Sequence, residues 1–280
     1  MKTYLKNYWI VPISFGHYFC LDFCCLLLLM LVTLWPASAQ QPSTPPYADA
    51  VPLSAEQVVH NLVQMNLHRA QALDGFQGTR IYRAEYRGFP GDRSAEMIVN
   101  VSYVSPATKE FKIRSATGSK LIIDKVFMKL LEAEKEALDS EMQRRSALTE
   151  DNYRFTLIGL EAGLSGSTYM LQVEPLRKDK YLYRGRIWVD AVDFAVVRLE
   201  AVPARNPSFW TRRSEIVQLY SKFGDFWLPA SNHSISTIRL GGHADLTIGY
   251  TDYEITGTTR VSSLPMHRSS SHMGAVRAQE

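Results

Sequence analysis

Acyl-transfer chemistry needs a nucleophile beside a base, and Gly163-Leu164-Ser165-Gly166-Ser167 comes nearest to offering one. A nucleophile elbow requires glycine at the fifth position and a strand-to-helix turn around the serine. Ser167 fills that position and both flanks alternate like strands, so a hairpin turn is expected instead. Gly118-Ser119-Lys120 lacks the upstream glycine spacing and the Lys-Ser/Thr order of a phosphate loop, and reads as the start of a helix. His60 and His68 are two turns apart on one predicted helix, about 12 Å, too far to share a metal. His233 and His243 could approach across a hairpin near Asp245, but strand-end histidines are the ordinary outcome. Asp190 and Asp193 flank a tight turn, where aspartate has a structural role. With Glu200, Asp225 and Asp252 scattered, no spacing specifies a glycosidase pair. No catalytic residue, metal ligand or cofactor site is expected.

The cysteines deepen that reading. Cys20, Cys24 and Cys25 all fall within the first 39 residues, so the rest of the chain can form no disulfide and no thiolate site. Those 39 residues carry Lys2 and Lys6, an apolar run over 23–35, then Ala37-Ser38-Ala39, the order of a secretory signal peptide. The run is shorter than the roughly 20 residues that span a membrane. An uncleaved anchor is the competing reading, and both imply export; a periplasmic location is expected. The formal charge of +3 becomes +2 when Lys2, Lys6 and Asp22 leave, too balanced for a nucleic-acid partner.

Residues 40–52, rich in Pro, Gln, Ser and Ala, read as a flexible linker. Ser54 and Gln57 then form a capping-box pattern ahead of Val58, Val59, Leu62, Val63 and Leu67 at helical spacing. From Thr79 the period becomes two, through Tyr82, Ala84 and Tyr86, then Met97, Val99, Val101 and Tyr103, then Phe111 and Ile113. A second helix is expected over 119–148, with Phe127 on its apolar face and Lys135 paired to Asp139 at i, i+4. Alternation resumes from Phe155 to about Ile255, giving ten strands and two helices. Residues 257–280, polar and Arg/His/Ser-rich, read as a disordered tail.

Strands with one apolar and one polar face make a sheet that is wet outside and covered inside. The expected fold is therefore α+β over residues 53–256: a large curved antiparallel sheet that two helices cannot cover completely, so that it either curls nearly into a barrel or leaves an apolar concavity. That concavity is available to a ligand. Its candidate lining is Met97, Val99, Val101, Phe111, Ile113, Leu171, Val173, Ile187, Val189, Leu246 and Ile248. Phe127, Trp210 and Trp227 are candidates for its rim or lid; large aromatics of this kind more often simply fill a core.

The run Tyr181-Leu-Tyr-Arg-Gly-Arg-Ile-Trp-Val-Asp190, with Phe194-Ala-Val-Val-Arg-Leu-Glu200, Asn206-Pro-Ser-Phe-Trp210, Phe226-Trp-Leu-Pro229 and Tyr250-Thr-Asp-Tyr-Glu-Ile255, resembles periplasmic lipoprotein carriers. These are the LolA, LolB and LppX types and the N-terminal domain of RseB and MucB regulators, commonly called outer-membrane lipoprotein-sorting proteins. The resemblance spans roughly residues 53–256. It implies an unclosed β half-barrel whose concave apolar face, lidded by helices, takes up lipid or lipoprotein acyl chains, and a non-enzymatic carrier without cofactor; a monomer that meets transport or regulatory proteins of the inner and outer membranes is expected. A lipid- or lipoprotein-sensing regulator is the second reading. A β-sandwich hydrolase or carbohydrate-binding domain using the clustered tryptophans is a third, and a purely structural envelope protein a fourth.

Overall fold

A computed structural model describes residues 53–106, 108–163, 166–206, 211–239 and 241–257. The expected leader and linker, and the expected tail apart from Gly257, lie outside the described residues, as does Trp210. Helix α1 (Ala55–Ala72) opens with the anticipated capping box: the Ser54 hydroxyl accepts from the Gln57 amide, and the Gln57 side chain accepts from the Ser54 amide. These bonds satisfy amides that the first turn leaves without partners.

Ten strands follow: β1 (Leu73–Arg87), β2 (Arg93–Val104), β3 (Thr108–Gly118), β4 (Tyr153–Gly163), β5 (Gly166–Pro175), β6 (Tyr183–Asp190), β7 (Val196–Pro203), β8 (Thr211–Phe223), β9 (Phe226–Ile238) and β10 (His243–Gly257). They form one antiparallel sheet in the order β3-β2-β1-β10-β9-β8-β7-β6-β5-β4. Every neighbouring pair is a hairpin except β1 and β10, whose long-range pairing joins two meanders. β3 and β4 are the edges, so the sheet is an unclosed half-barrel, as expected.

Between those edges runs the helical segment. The sequence predicts one helix over 119–148, but the chain makes several shorter pieces: α2 (Lys120–Ile122), a π-helical turn (Ile123–Phe127), α3 (Met128–Glu136) and α4 (Ser140–Ser146). Asp139 is the reason for the break. Its carboxylate accepts from the amides of Glu141 and Met142, both at 3.0 Å, capping α4 rather than serving as the i+4 partner of Lys135. The Lys135 ammonium lies over the Phe111 ring instead, 5.8 Å from its centroid. β1 also starts six residues earlier than the alternation from Thr79 suggests. Among the described residues no helix is long and apolar enough to cross a membrane.

Candidate functional site

Cross-strand partners stand side by side on one face, so the registers trace rows over the inner surface. One row runs Met97, Tyr82, Ile248, Asn232, Gln218, Leu199, Ile187, Leu171, Leu157 from β2 to β4. The next runs Ala95, Ala84, Leu246, Ser234, Ile216, Ala201, Gly185, Val173, Phe155. The rows are apolar on every strand except β8 and β9.

Of the anticipated lining, Met97, Val99, Leu171, Val173, Ile187 and Val189 are fully buried, and Val101, Leu246 and Ile248 nearly so. Val101 faces Phe111 and Val99 faces Ile113 across the β2–β3 pairing. Phe111 is half-buried, whereas Ile113 is 43 % exposed on the edge strand. Phe127 is fully buried, its ring 5.7 Å from that of Tyr82, so it pins the π-helical turn onto the floor of the sheet. Trp227 is half-buried, and its indole N–H donates to Asp193 Oδ2 at 2.8 Å.

Two polar clusters on the inner face escaped the sequence reading. In the first, Glu134 from α3 pairs with Arg80 on β1 and lies 3.0 Å from the Lys109 ammonium on β3, with all three groups buried. Burial pushes the Glu134 carboxyl up, but the two cations prevail and hold it at about 2. Burial pulls Lys109 below its ordinary value, Arg80 adds to that, and Glu134 opposes it. The Arg80 guanidinium also sits 5.0 Å from the centroid of Tyr250. The signal was legible: Arg80 shares the parity of Tyr82, Ala84 and Tyr86, so it had to point inward.

The second cluster lies on β8 and β9. Asn232 Nδ2 donates to Gln218 Oε1 at 2.7 Å, Gln218 Nε2 donates to the Leu219 carbonyl at 3.0 Å, and the Ser214 and Ser236 hydroxyls meet at 2.9 Å. Asn232 is 1 % exposed and its Oδ1 has no hydrogen-bond partner among the described residues. On this stretch of β8 and β9 amides and hydroxyls face in beside Ile216, while Leu219 and Ile235 stand exposed outside.

Helix α1 is fixed at its C-terminal end by Arg69, whose guanidinium donates to the carbonyls of Asp193 at 2.8 Å and Phe194 at 2.9 Å in the β6–β7 turn. Burial draws this guanidinium down to about 10, against the pull of Asp193 and Asp190, so it stays charged at neutral pH. Asp190 itself accepts from the amides of Val192 and Asp193, the turn role expected of it. Near the other end of α1, an open cleft of about 310 Å³ lies between Ala55, Val59, Tyr153, Phe155 and Leu176, beside edge strand β4. α4 is tied to the β5–β6 connection by Arg145 and Asp179, 2.8 Å apart.

Of the residues weighed for catalysis, the structure brings His233 beside Asp245 and keeps Asp190 with Asp193 in one turn. β4 and β5 pair as far as Gly163 and Gly166, a hairpin at the Gly-Leu-Ser-Gly-Ser run. His233 Nε2 lies 2.9 Å from Asp245 Oδ2 at a half-exposed position, while His243 pairs further along β9 with Thr237. Among the described residues no cluster of His, Cys, Asp and Glu could hold a metal ion.

No protein-family model matches the chain, and no curated protein does. Solved structures similar to it include an outer membrane lipoprotein-sorting protein domain from Vibrio parahaemolyticus, 13 % identical over 72 % of this chain and 93 % of that one, TM-score 0.36. A LolA superfamily protein from Nitrosomonas europaea is 11 % identical over 74 % and 96 %, TM-score 0.32. MucB is 12 % identical over 70 % and 92 %, TM-score 0.27.

Proposed function

We propose that this chain is a non-enzymatic carrier of the cell envelope, which buries acyl chains of lipoproteins or other envelope lipids against the inner face of its half-barrel and delivers them toward the outer membrane. The observation that carries the reading is the pair of apolar rows running unbroken over β5–β7 and over β10–β2, on a sheet left open between β3 and β4. Each methylene removed from water on such a surface contributes about 0.8 kcal/mol. A lipid cannot traverse an aqueous compartment without that burial.

The described state is closed. The cleft beside β4 is at the low end of the roughly 300–1,000 Å³ typical of ligand pockets, and the rows beneath the helices are already buried. Uptake therefore requires the helical cover to give way, releasing both its apolar packing on the floor and its polar anchors, Arg69 for α1, Glu134 for α3 and Arg145 for α4. Cargo enters from the β4 edge, where the cleft opens, and displaces α1 or α3 from the floor. Native mass spectrometry of the protein purified from a bacterial envelope, with lipid extraction, tests this reading. Co-purified lipid or lipoprotein is expected; a clean apo mass with no binding of a fluorescent fatty acid overturns it.

A further inference from the structure

The amides on β8 and β9 interrupt an otherwise apolar floor, and the interruption is costly. A buried carbonyl-type oxygen left without a donor is destabilising, and such groups in native proteins call for an explanation. Asn232 Oδ1 is such an oxygen, on an inward-facing position flanked by Ile248 and Gln218. The Asn232 amide group is already oriented, because its Nδ2 is committed to Gln218 and Gln218 is in turn committed to the Leu219 carbonyl. That leaves one pre-positioned acceptor, with no donor, in the middle of an apolar row.

We propose that Asn232 Oδ1 is a recognition point for a neutral N–H or O–H donor carried within the apolar body of the ligand, such as the amide of an N-acyl chain or a chain hydroxyl. The inference rests on the acyl-binding reading above and specifies its cargo. The site selects a neutral group: the buried charges of the inner face, Arg80, Lys109 and Glu134, are paired with one another, and an isolated charge buried beside Asn232 is strongly disfavoured. A chain lacking a donor leaves Asn232 Oδ1 unpaired in the complex, whereas a chain with one satisfies it. Selection against the missing donor is the stronger effect, because buried polar sites discriminate chiefly by what they leave unmatched.

The test compares N-ethyl palmitamide, ethyl palmitate and ethyl 3-hydroxypalmitate as competitors for a dansyl-labelled fatty acid, on the purified protein and on Gln218→Met/Asn232→Leu. The double substitution replaces both partners of the Asn232–Gln218 bond together, which limits its effect on stability to the loss of the bond to the Leu219 carbonyl, and its melting temperature checks that it folds. The parent is expected to bind the amide or the hydroxy ester about tenfold more tightly than ethyl palmitate, and the variant to bind all three alike. Preference for the amide alone identifies an N-acyl ligand, and preference for the hydroxy ester alone a hydroxylated chain. Equal binding of all three by the parent overturns the proposal and leaves the acyl-binding reading intact. Failure of the parent to bind the dansyl probe or any competitor overturns both.

Discussion

The Lys109 ammonium lies 3.0 Å from Glu134 Oε2, while Arg80 engages the other carboxylate oxygen, so two buried cations from β3 and β1 converge on a single acid of α3. The cluster carries a net positive charge inside the sheet and gives α3 a specific polar hold on it. Such a cluster is weak evidence for net stability, since apolar replacement of a whole buried ion group is often neutral or better. Loss of one member is another matter.

Glu134→Gln leaves Arg80 and Lys109 buried without a counter-charge and is expected to destabilise the fold by about 3–5 kcal/mol, read by urea denaturation. It also removes the group that holds the Lys109 pKa up, so Lys109 in the folded variant releases its proton at lower pH. The unfolded chain then binds more protons than the folded one, and the stability of the variant rises with pH below the ordinary lysine range. Stability of the variant independent of pH between neutrality and pH 10 contradicts this.

In the parent protein the same sign holds at the acid end. Glu134 is held at about 2, below its ordinary 4.5, so the folded state favours the carboxylate. Its contribution is present in full above about pH 5 and fades as pH falls from 4.5 toward 2. Acid titration of denaturant midpoints is expected to show that loss, and Glu134→Gln to show a shallower one.

Arg69→Met removes two charge-assisted bonds to the Asp193 and Phe194 carbonyls and is expected to cost about 2–3 kcal/mol. Hydrogen exchange should accelerate in α1 and leave the β1–β10 pairing unchanged, the pattern of local opening. Equal acceleration throughout the sheet contradicts an anchoring role.

Phe127→Ala is expected to cost about 3–5 kcal/mol, because the ring is fully buried against Tyr82. If the π-helical turn is part of the cover, the same variant takes up a dansyl-labelled fatty acid faster in stopped-flow mixing. Slower or unchanged uptake by the folded variant argues against that.

Much of the sheet was legible because its alternation is strict: Met97, Val99 and Val101, or Leu171 and Val173, can bury one face only. The β1–β10 pairing was not, since no local pattern states which strands meet across more than a hundred residues. The break in the helical segment was missed because Asp139 suits either an i+4 partner or a cap, and tertiary packing chose the cap. Arg80 was legible in principle from its parity. Gln218 and Asn232 were harder to see, because Val217, Leu219 and Ile235 offered an equally good apolar face of the opposite parity, and only the registers with β7 and β10 decide between them.

The central claim is that acyl chains lie on the inner face of the half-barrel. A palmitate analogue with a terminal diazirine, bound and irradiated, places its adducts by peptide mass spectrometry. The expected adducts fall on inward residues of the apolar rows, such as Leu171, Ile187, Ile248 or Met97. Adducts confined to outward residues such as Ile158, Leu219 or Ile235, or no adduct at saturating probe, contradict the account.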